Sequence, residues 1–539
     1  MLRTTSAAIA GALMLALSAC DRGTGSDGQA AAGPGDPETA EPTQAAPAGE
    51  PSIDWFDGDV DAAFALASSA GKPLFLYWGA EWCPPCHQIK DQIFSKLEFI
   101  EKSRLFVPVY LDGDTERAQK LGDQFGVLGY PTIIVFSADG KELTRIPGGL
   151  DIGLYAEVLD LTLQGVRPVA EIVTAVMAGE TVSDDDYRLL GFYSWSQDND
   201  RALAGMDKVQ AFEVMATSCP ASLASACARL YAEYLRAALA AEKDEENPRS
   251  MSAAQKGLAL ERVHVILADD DLSAASLPLL IGYADDVVPG LTEAGSAERE
   301  DLVGAWNARL DAIAVDPDTS PADMLWTRYV VLQFAKLDSG DEDLPETEVS
   351  AAKEAVDQAN VEATTTYQRQ AFMNAAWYVL TESGQQEYVK TLLLEELEKS
   401  KQPYYFMPSL ARLAENGGDT EKALYWLRKG YDTSSGSATR FQWGYYYVDG
   451  LIRMTPEEPE AIAQASTQLL SELDGQPDAI YNRTGRIMKR LGTKLAEWNF
   501  DGRYDEQIAA IQLKVDSLCA QIPDGDASLS TCQIFMEEA

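Results

Sequence analysis

The chain has 539 residues, with 43 basic against 85 acidic side chains and a formal net charge of -42. This acidity argues against nucleic-acid binding, which needs basic patches, and against lying on anionic lipid. The length predicts more than one domain.

The first 20 residues have the pattern of an export signal. A basic residue precedes the apolar stretch 7–17, which is too short to span a membrane and ends in small residues. The box Leu17-Ser18-Ala19-Cys20 resembles the cleavage site of bacterial lipoproteins. The resemblance implies a signal peptide over 1–19, a lipid anchor on Cys20, and a location on the periplasmic side of a bacterial envelope. Asp21 favours the inner membrane over the outer one, and an ordinary secretory signal is the alternative.

Residues 20–52 are rich in Ala, Gly, Pro, Asp and Glu and show no apolar periodicity. Such a segment cannot bury a core, so we predict a disordered tether that ends at the next domain.

Residues 53–165 alternate between apolar runs of strand length and amphipathic segments. Strands are predicted at 72–78, 105–111, 132–136 and 142–146, and helices at about 59–70, 84–100, 115–125 and 151–164. Pro108 moves the second strand towards a sheet edge or a bulge. The order is βαβ followed by ββα, with the last two strands antiparallel.

Trp82-Cys83-Pro84-Pro85-Cys86 lies where the first strand gives way to a helix. If Pro84 occupies the first helical turn, Cys83 sits at the helix N-terminus, where the backbone N–H groups and the helix dipole stabilise a thiolate. We therefore predict Cys83 as the nucleophile. Cys86, one turn further in and more buried, is predicted to resolve the mixed disulfide formed on Cys83.

Two other interpretations of this pair stay open. A structural zinc site is disfavoured because it needs four ligands and there is no second Cys pair at comparable spacing. A permanently oxidised structural disulfide in a domain that only binds partners is the stronger alternative.

With these motifs in place, residues 55–165 resemble the thioredoxin fold, and in particular the periplasmic thioredoxin-like module of DsbD-type electron carriers. The segment 125–132 matches the second signature of the family. By this resemblance Pro131 is expected to be cis and to face the dithiol, Tyr130 to pair its backbone with an extended substrate, and Gly148 to follow the last strand.

One position departs from the family. Thioredoxins carry a buried Asp six residues before the first cysteine, and Tyr77 stands there, which leaves the proton acceptor for Cys86 open. Glu81 could relay a proton, although a solvated surface carboxylate is the favoured interpretation. His87 lies one turn from Cys83, where a cation would favour the thiolate, and an exposed helix residue is the alternative.

The remaining chain is predicted to be almost wholly α-helical, divided into a helical region over 166–360 and TPR-like repeats over 361–539. Helix pairs are expected to begin near Tyr367, Tyr404, Thr439 and Asp478. Aromatic residues there, such as Trp377, Tyr405 and Tyr446, are expected in the hairpin cores rather than in a peptide groove. Asn482-Arg483-Thr484 fits a glycosylation pattern that carries little weight in a bacterial protein.

Four further cysteines are candidates for structural disulfides, because exported chains meet an oxidising environment. Cys519 and Cys532 flank a turn and are expected to pair. Cys219 and Cys227 can pair only if the helix between them begins later than Pro220, near Ser225, because eight helical residues would hold them too far apart.

The sequence as a whole predicts a lipid-anchored thiol-disulfide oxidoreductase that needs no cofactor or metal. It would reduce or isomerise disulfides in exported proteins, draw electrons from a membrane donor of the DsbD type, and use its helical region to bind a client or partner. The alternative is a non-catalytic envelope scaffold in which the dithiol is structural. The direction of electron transfer stays open.

Overall fold

The computed structural model describes residues 52–147, 152–338 and 343–535. The predicted signal peptide, Cys20, Asp21, nearly all of the tether, and Gly148 lie outside these ranges. Within them, no helix combines the length and the apolarity that a membrane crossing requires.

A four-stranded mixed sheet forms the core of the first domain. Its strands are β1 (Leu74–Gly79), β2 (Val107–Asp112), β3 (Thr132–Phe136) and β4 (Glu142–Ile146). They lie in the order β2-β1-β3-β4, with β1 parallel to β2 and with β3 antiparallel to both β1 and β4. Pro108 is on β2, which is an edge strand, as its missing N–H predicts. The predicted thioredoxin-type order is confirmed.

Five helices surround this sheet. They are α1 (Val60–Ala70), α2 (Pro84–Ile89), α3 (Leu97–Ser103), α4 (Glu116–Gln124) and α5 (Ile152–Leu163). The single helix predicted over 84–100 is divided, because a π-helical turn (Lys90–Phe94) follows α2 and Lys96 is then extended, with a ψ of 135°.

Side chains alternate between the two faces of the sheet. Leu74, Leu76 and Trp78 of β1 join an apolar cluster that includes the dithiol, whereas Phe75 and Tyr77 join a larger cluster on the opposite face. That larger cluster also includes helices of the second part of the chain as far as Phe334. The back of the sheet and the first half of the helical region therefore share one hydrophobic core.

The rest of the described chain is helical, as predicted. Its helices are α6 (Val169–Met177), α7 (Asp184–Gly191), α8 (Lys208–Ser218), α9 (Ala224–Glu242), α10 (Ala253–Ala268), α11 (Asp270–Ala275), α12 (Leu277–Gly282), α13 (Ala284–Leu291), α14 (Ala297–Ala314), α15 (Pro321–Lys336), α16 (Glu346–Glu362), α17 (Thr366–Glu382), α18 (Gln386–Lys399), α19 (Met407–Asn416), α20 (Thr420–Thr433), α21 (Ser437–Met454), α22 (Pro459–Ser471), α23 (Asn482–Trp498), α24 (Asp505–Cys519) and α25 (Ala527–Gln533).

The boundary predicted at residue 360 is wrong, because it falls inside α16 and one apolar cluster extends across it from Ala322 to Trp443. Pairs of helices begin at Thr366, Met407, Ser437 and Asn482, close to the predicted positions. The repeat family of these hairpins stays a prediction.

The aromatic residues of the hairpins have two environments. Tyr404, Phe406 and Trp426 are buried in the core, as expected. Trp377, Tyr405 and Tyr446 are half-buried and line a cavity of about 540 Å³ between α17, α19 and α21. The expectation that these residues are core is therefore only partly right.

Both expected structural disulfides are present. Cys519 pairs with Cys532, and Cys219 pairs with Cys227. The second bridge is possible because residues 220–223 are not helical. Helix α9 begins at Ala224, one residue before the predicted start at Ser225.

Asp186, in the first turn of α7, forms part of the N-terminal cap of that helix and pairs with Arg167. Its Oδ2 accepts hydrogen bonds from Ser183 N at 2.8 Å and from Arg167 Nη2 at 2.6 Å. Burial acts to raise the pKa of this carboxyl, but the bonds from Arg167 and Ser183 outweigh burial and lower it. Ionised Asp186 therefore stabilises the folded chain above the unfolded pKa of about 3.9, and this contribution is lost as the pH falls through the lower folded value.

We expect Asp186→Asn to lower the free energy of unfolding by about 1 kcal/mol at neutral pH. The difference from the wild-type chain should shrink below about pH 4, as measured by denaturant titration at a series of pH values. A deficit that stays constant down to strongly acid pH would contradict this assignment.

Candidate functional site

Cys83 and Cys86 lie at the first turn of α2 and form a disulfide. Cys83 is the N-cap residue, with extended backbone, and Pro84 is the first helical residue. The backbone N–H of Cys86 donates a hydrogen bond to Cys83 Sγ at 3.2 Å. A sulfur held in this position receives the positive end of the helix dipole and a direct donor, which favours its thiolate once the pair is reduced.

The Tyr130–Pro131 peptide bond is cis, the geometry that the sequence predicts. Tyr130 belongs to the same apolar cluster as Cys83 and Cys86, and its ring lies 6.1 Å from that of Trp82. Its hydroxyl donates to the carbonyl of Gly113 at 3.0 Å, and burial raises its pKa to about 12. The fold thus gathers the two sequence motifs into one cluster.

Glu81 is a surface carboxylate, the interpretation favoured from the sequence. Its side chain is 66 % exposed and pairs with Lys90 at 3.1 Å. Partial burial acts to raise its pKa, but the charge and hydrogen bond of Lys90 outweigh it and lower the pKa. Glu81 is therefore ionised at neutral pH and has no proton to donate there.

His87 is neither exposed nor a cation at neutral pH. The side chain is buried, and its ring lies 5.1 Å from the ring of Tyr367 on α17. Its Nε2 atom is hydrogen-bonded to the main-chain carbonyl oxygen of Glu81, and burial lowers the pKa of the imidazole ring. Both sequence interpretations of His87 are therefore wrong, because α17 covers this turn of α2 and excludes water from it.

Tyr77 lies among aromatic rings on the face of the sheet opposite the dithiol cluster. Its ring is 4.9 Å from Phe94 and 5.4 Å from Tyr110, and it stacks on Trp55 at 6.0 Å. Tyr77 contributes an apolar body to the larger core and supplies no carboxylate for Cys86.

Two carboxylates that sequence analysis missed stand at the same sheet edge as the dithiol. Since β1 and β2 are parallel, Asp112 at the end of β2 lies beside Gly79 at the end of β1. Burial, and then the charge of Asp114, raise the pKa of Asp112. Asp114 accepts a hydrogen bond from Trp82 Nε1 at 3.1 Å. The available signal was two acidic residues directly after a strand parallel to the one that leads to the cysteines.

The helical region lies over the dithiol. Three of its side-chain amides donate hydrogen bonds to main-chain carbonyls around the cysteines: Gln370 to Trp82 at 3.0 Å, Asn482 to Val127 at 2.7 Å and Gln197 to Pro131 at 2.9 Å.

Arg483, at the start of α23, completes this cover. Its guanidinium lies 5.0 Å above the ring of Trp82 and 5.7 Å from that of Tyr130. Its Nη2 donates to Asp114 Oδ1 at 2.5 Å, and the arginine side chain is only 3 % exposed. An arginine 400 residues along the chain is thus part of the dithiol environment.

The result is an enclosed disulfide. Cys83 and Cys86 both have 0 % exposure, and Trp82 has 2 %. The prediction that Cys86 would be more buried than Cys83 is wrong, because the helical region buries the outer sulfur as completely as the inner one. Within the described ranges no cluster of His, Cys, Asp and Glu side chains has the size of a metal site.

Comparison with known proteins places the first domain in a family. Residues 60–162 match the model of the thioredoxin-like domain. Relatives include the thiol:disulfide interchange protein DsbD of Actinobacillus pleuropneumoniae serotype 5b, 33 % identical over 99 residues, which are 18 % of this chain and 17 % of that protein. DsbD 1 of Pseudomonas aeruginosa is 33 % identical over 104 residues, covering 19 % and 18 % of the two chains. The chain thus spans less than a fifth of the length of these relatives.

Two solved structures also resemble this domain. A thioredoxin from Thermus thermophilus is 25 % identical with a TM-score of 0.19, covering 21 % of this chain and 88 % of that one. The DsbH oxidoreductase is 21 % identical with a TM-score of 0.20, covering 24 % and 96 %. By the family model, residues 60–162 form a thioredoxin-like domain, followed by a large helical region.

Proposed function

We propose that this chain is a membrane-anchored thiol-disulfide oxidoreductase that reduces or isomerises disulfides of exported proteins. The observation that carries the proposal is the Cys83–Cys86 pair at the first turn of α2, within a domain whose relatives are thiol:disulfide interchange proteins. Both the family match and the local geometry fit two-electron exchange.

The reaction follows from the positions of the two sulfurs. The Cys83 thiolate attacks one sulfur of a client disulfide, forms a mixed disulfide, and displaces the other client sulfur as a thiolate that takes up a proton. The Cys86 thiolate then attacks Cys83 Sγ and releases the second client thiol. The client has gained two electrons and two protons, and Cys83–Cys86 is oxidised. A donor dithiol, for which a DsbD-type membrane carrier is the natural candidate, restores the reduced pair by the reverse steps.

Anchoring rests on the sequence pattern at Cys20. We expect the wild-type chain to sediment with membranes and the Cys20→Ser chain to appear in the soluble periplasmic fraction, because Cys20 carries the lipid that the sequence pattern predicts as the anchor. Fractionation of cells that express each chain, with blotting for the helical region, measures this. Equal membrane association of the two chains would contradict the lipid anchor.

A second candidate function is a non-catalytic envelope scaffold whose disulfide is structural. The complete burial of both cysteines favours it, since a buried disulfide cannot meet a client. Under this alternative the helical region binds the partner and the thioredoxin-like domain only completes the fold.

Turnover separates the two candidates. The full chain, supplied with a reductant and a disulfide-bonded protein, should accelerate reduction of that protein well beyond the reductant alone if it is an oxidoreductase. Reduction at the rate of the reductant alone would favour the scaffold.

A further inference from the structure

Two halves of the helical region contact the thioredoxin-like domain by different chemistry. The first half is joined to the back of the sheet through a continuous apolar cluster, which extends from Phe75 to Phe334. The apolar cluster under the dithiol contains, among the described residues, only side chains between Phe56 and Phe136. In the ranges that the structure describes, the apolar clusters of the second half contain no residue of the thioredoxin-like domain.

The cover over the dithiol is therefore polar. It consists of α17, α21 and α23, which we call the lid. The lid meets the domain through hydrogen bonds, one ion pair, and the ring contacts of Tyr367 with His87 and of Arg483 with Trp82 and Tyr130. Gln370 of α17 bonds to Trp82, and Asn482 of α23 bonds to Val127. Polar contacts of this kind exchange for water at small net cost, whereas the apolar core at the back of the sheet does not.

Asp114 is the point where the lid is most strongly tied. The carboxylate accepts hydrogen bonds from Thr439 Oγ1 of α21 and from Arg483 Nη2 of α23, both at 2.5 Å. Its second oxygen accepts from Trp82 Nε1, next to the first cysteine. Charge-assisted bonds shielded from solvent are the strongest of the polar contacts, so this junction dominates closure of the lid.

Thiol-disulfide exchange needs a third sulfur to approach Cys83 Sγ, and no path to it exists while its exposure is 0 %. We infer that the lid is a gate: α17, α21 and α23 separate from the dithiol face before exchange, with the Asp114–Arg483 junction as the latch. This inference rests on the proposed function, because the exchange that opening of the lid would permit is the one proposed there.

The test measures opening without any client. Oxidised full chain is exposed to a small reductant, tris(2-carboxyethyl)phosphine, under native conditions, and reduction of Cys83–Cys86 is followed by acid quenching, alkylation and mass spectrometry. Arg483→Met and, separately, Gln370→Ala weaken the lid. Lys141→Met is the matched control, because Lys141 pairs with Glu171 in the helical region at 3.5 Å. The β3–β4 turn that carries it adjoins the start of β1, opposite the dithiol end.

We expect reduction of Cys83–Cys86 to be about tenfold faster or more in Arg483→Met, several-fold faster in Gln370→Ala, and unchanged in Lys141→Met, because loss of a charge-assisted bond shifts the opening equilibrium by about that factor. The Cys519–Cys532 pair, in which Cys532 is buried and Cys519 half-buried, is the internal reference for folding. If it is reduced together with Cys83–Cys86 in Arg483→Met, that variant has unfolded and Gln370→Ala decides.

Equal rates in the wild-type chain and the lid variants would overturn the gate. Faster reduction in the lid variants without any turnover of a protein disulfide would leave the gate standing and remove the proposed catalytic function. The two proposals therefore fail separately.

Discussion

Replacing Cys83 by alanine should lower the rate of disulfide exchange with a protein substrate by on the order of a thousandfold or more, because the attacking sulfur itself is removed. Cys86→Ala should behave differently. Its Cys83 thiolate still attacks the client, but no neighbouring sulfur resolves the adduct, so a mixed disulfide accumulates. Turnover assays, with non-reducing gels and mass spectrometry of the trapped adduct, measure both outcomes.

The control for this pair of variants is the double substitution of Cys519 and Cys532 by serine. Those cysteines join α24 to α25 and take no part in the proposed exchange, so the rate per folded molecule should be retained. Exchange that survives in Cys83→Ala, or that is lost equally in the control, would show that Cys83 is not the nucleophile.

Arg145→Met should lower the free energy of unfolding of the thioredoxin-like domain by about 3–5 kcal/mol, because it leaves buried charges without their partner. The Arg145 side chain has 0 % exposure. It donates to Glu142 at 2.7 Å and to the carbonyl of Phe125 at 2.5 Å, and lies 3.6 Å from the buried Asp198. Burial already raises the pKa of Asp198, so the loss should be smaller at acid pH, where that carboxyl is protonated.

Hydrogen exchange of the β3 and β4 amides measures this loss, because it reports the opening of this domain within a larger chain. Lys141→Met serves again as the comparison. Lys141 lies on the same hairpin and its ion pair with Glu171 is exposed, so its loss should change the free energy of unfolding by less than about 1 kcal/mol. A similar small effect for Arg145→Met would mean that the buried network contributes little to stability.

Local pattern was sufficient for most of the fold. The buried strand runs, the proline at the edge strand and the helix start at the dithiol all depend on residues close together in the chain. Asp59 at the N-cap and Gly71 at the end of α1, with a φ of 62°, show the same local control. The disulfide between Cys219 and Cys227 required a late helix start, and the helix does begin late.

The cover of the dithiol was not predictable in this way. Gln370, Asn482 and Arg483 are polar residues on helices, and a polar helical residue is usually solvated. Their partners lie about 290 to 400 residues away, so no periodicity connects them. The same long-range packing buries His87. Its position one turn from Cys83 had indicated an exposed residue or a cation. Asn482 and Arg483 even fall within a glycosylation pattern, although both are buried against the thioredoxin-like domain.

The boundary at 360 failed for a related reason. Turn residues suggest where helices end, but they do not show where a hydrophobic core ends. Helix α15 contributes Val330 to the first apolar cluster and Leu325 to the second, so the helical region is continuous through it. Such sharing depends on which face of a helix meets which neighbour.

The most direct test of the proposed function is the equilibrium reduction of Cys83–Cys86 in the purified full chain, equilibrated with dithiothreitol redox buffers and analysed by alkylation and mass spectrometry. We expect reversible reduction at a potential between about -270 and -180 mV, the range of reducing and isomerising dithiols, while Cys219–Cys227 and Cys519–Cys532 stay oxidised. If Cys83–Cys86 stays oxidised, as the two structural pairs do, even in buffers with a potential below about -300 mV, the dithiol is structural and the proposed function is wrong.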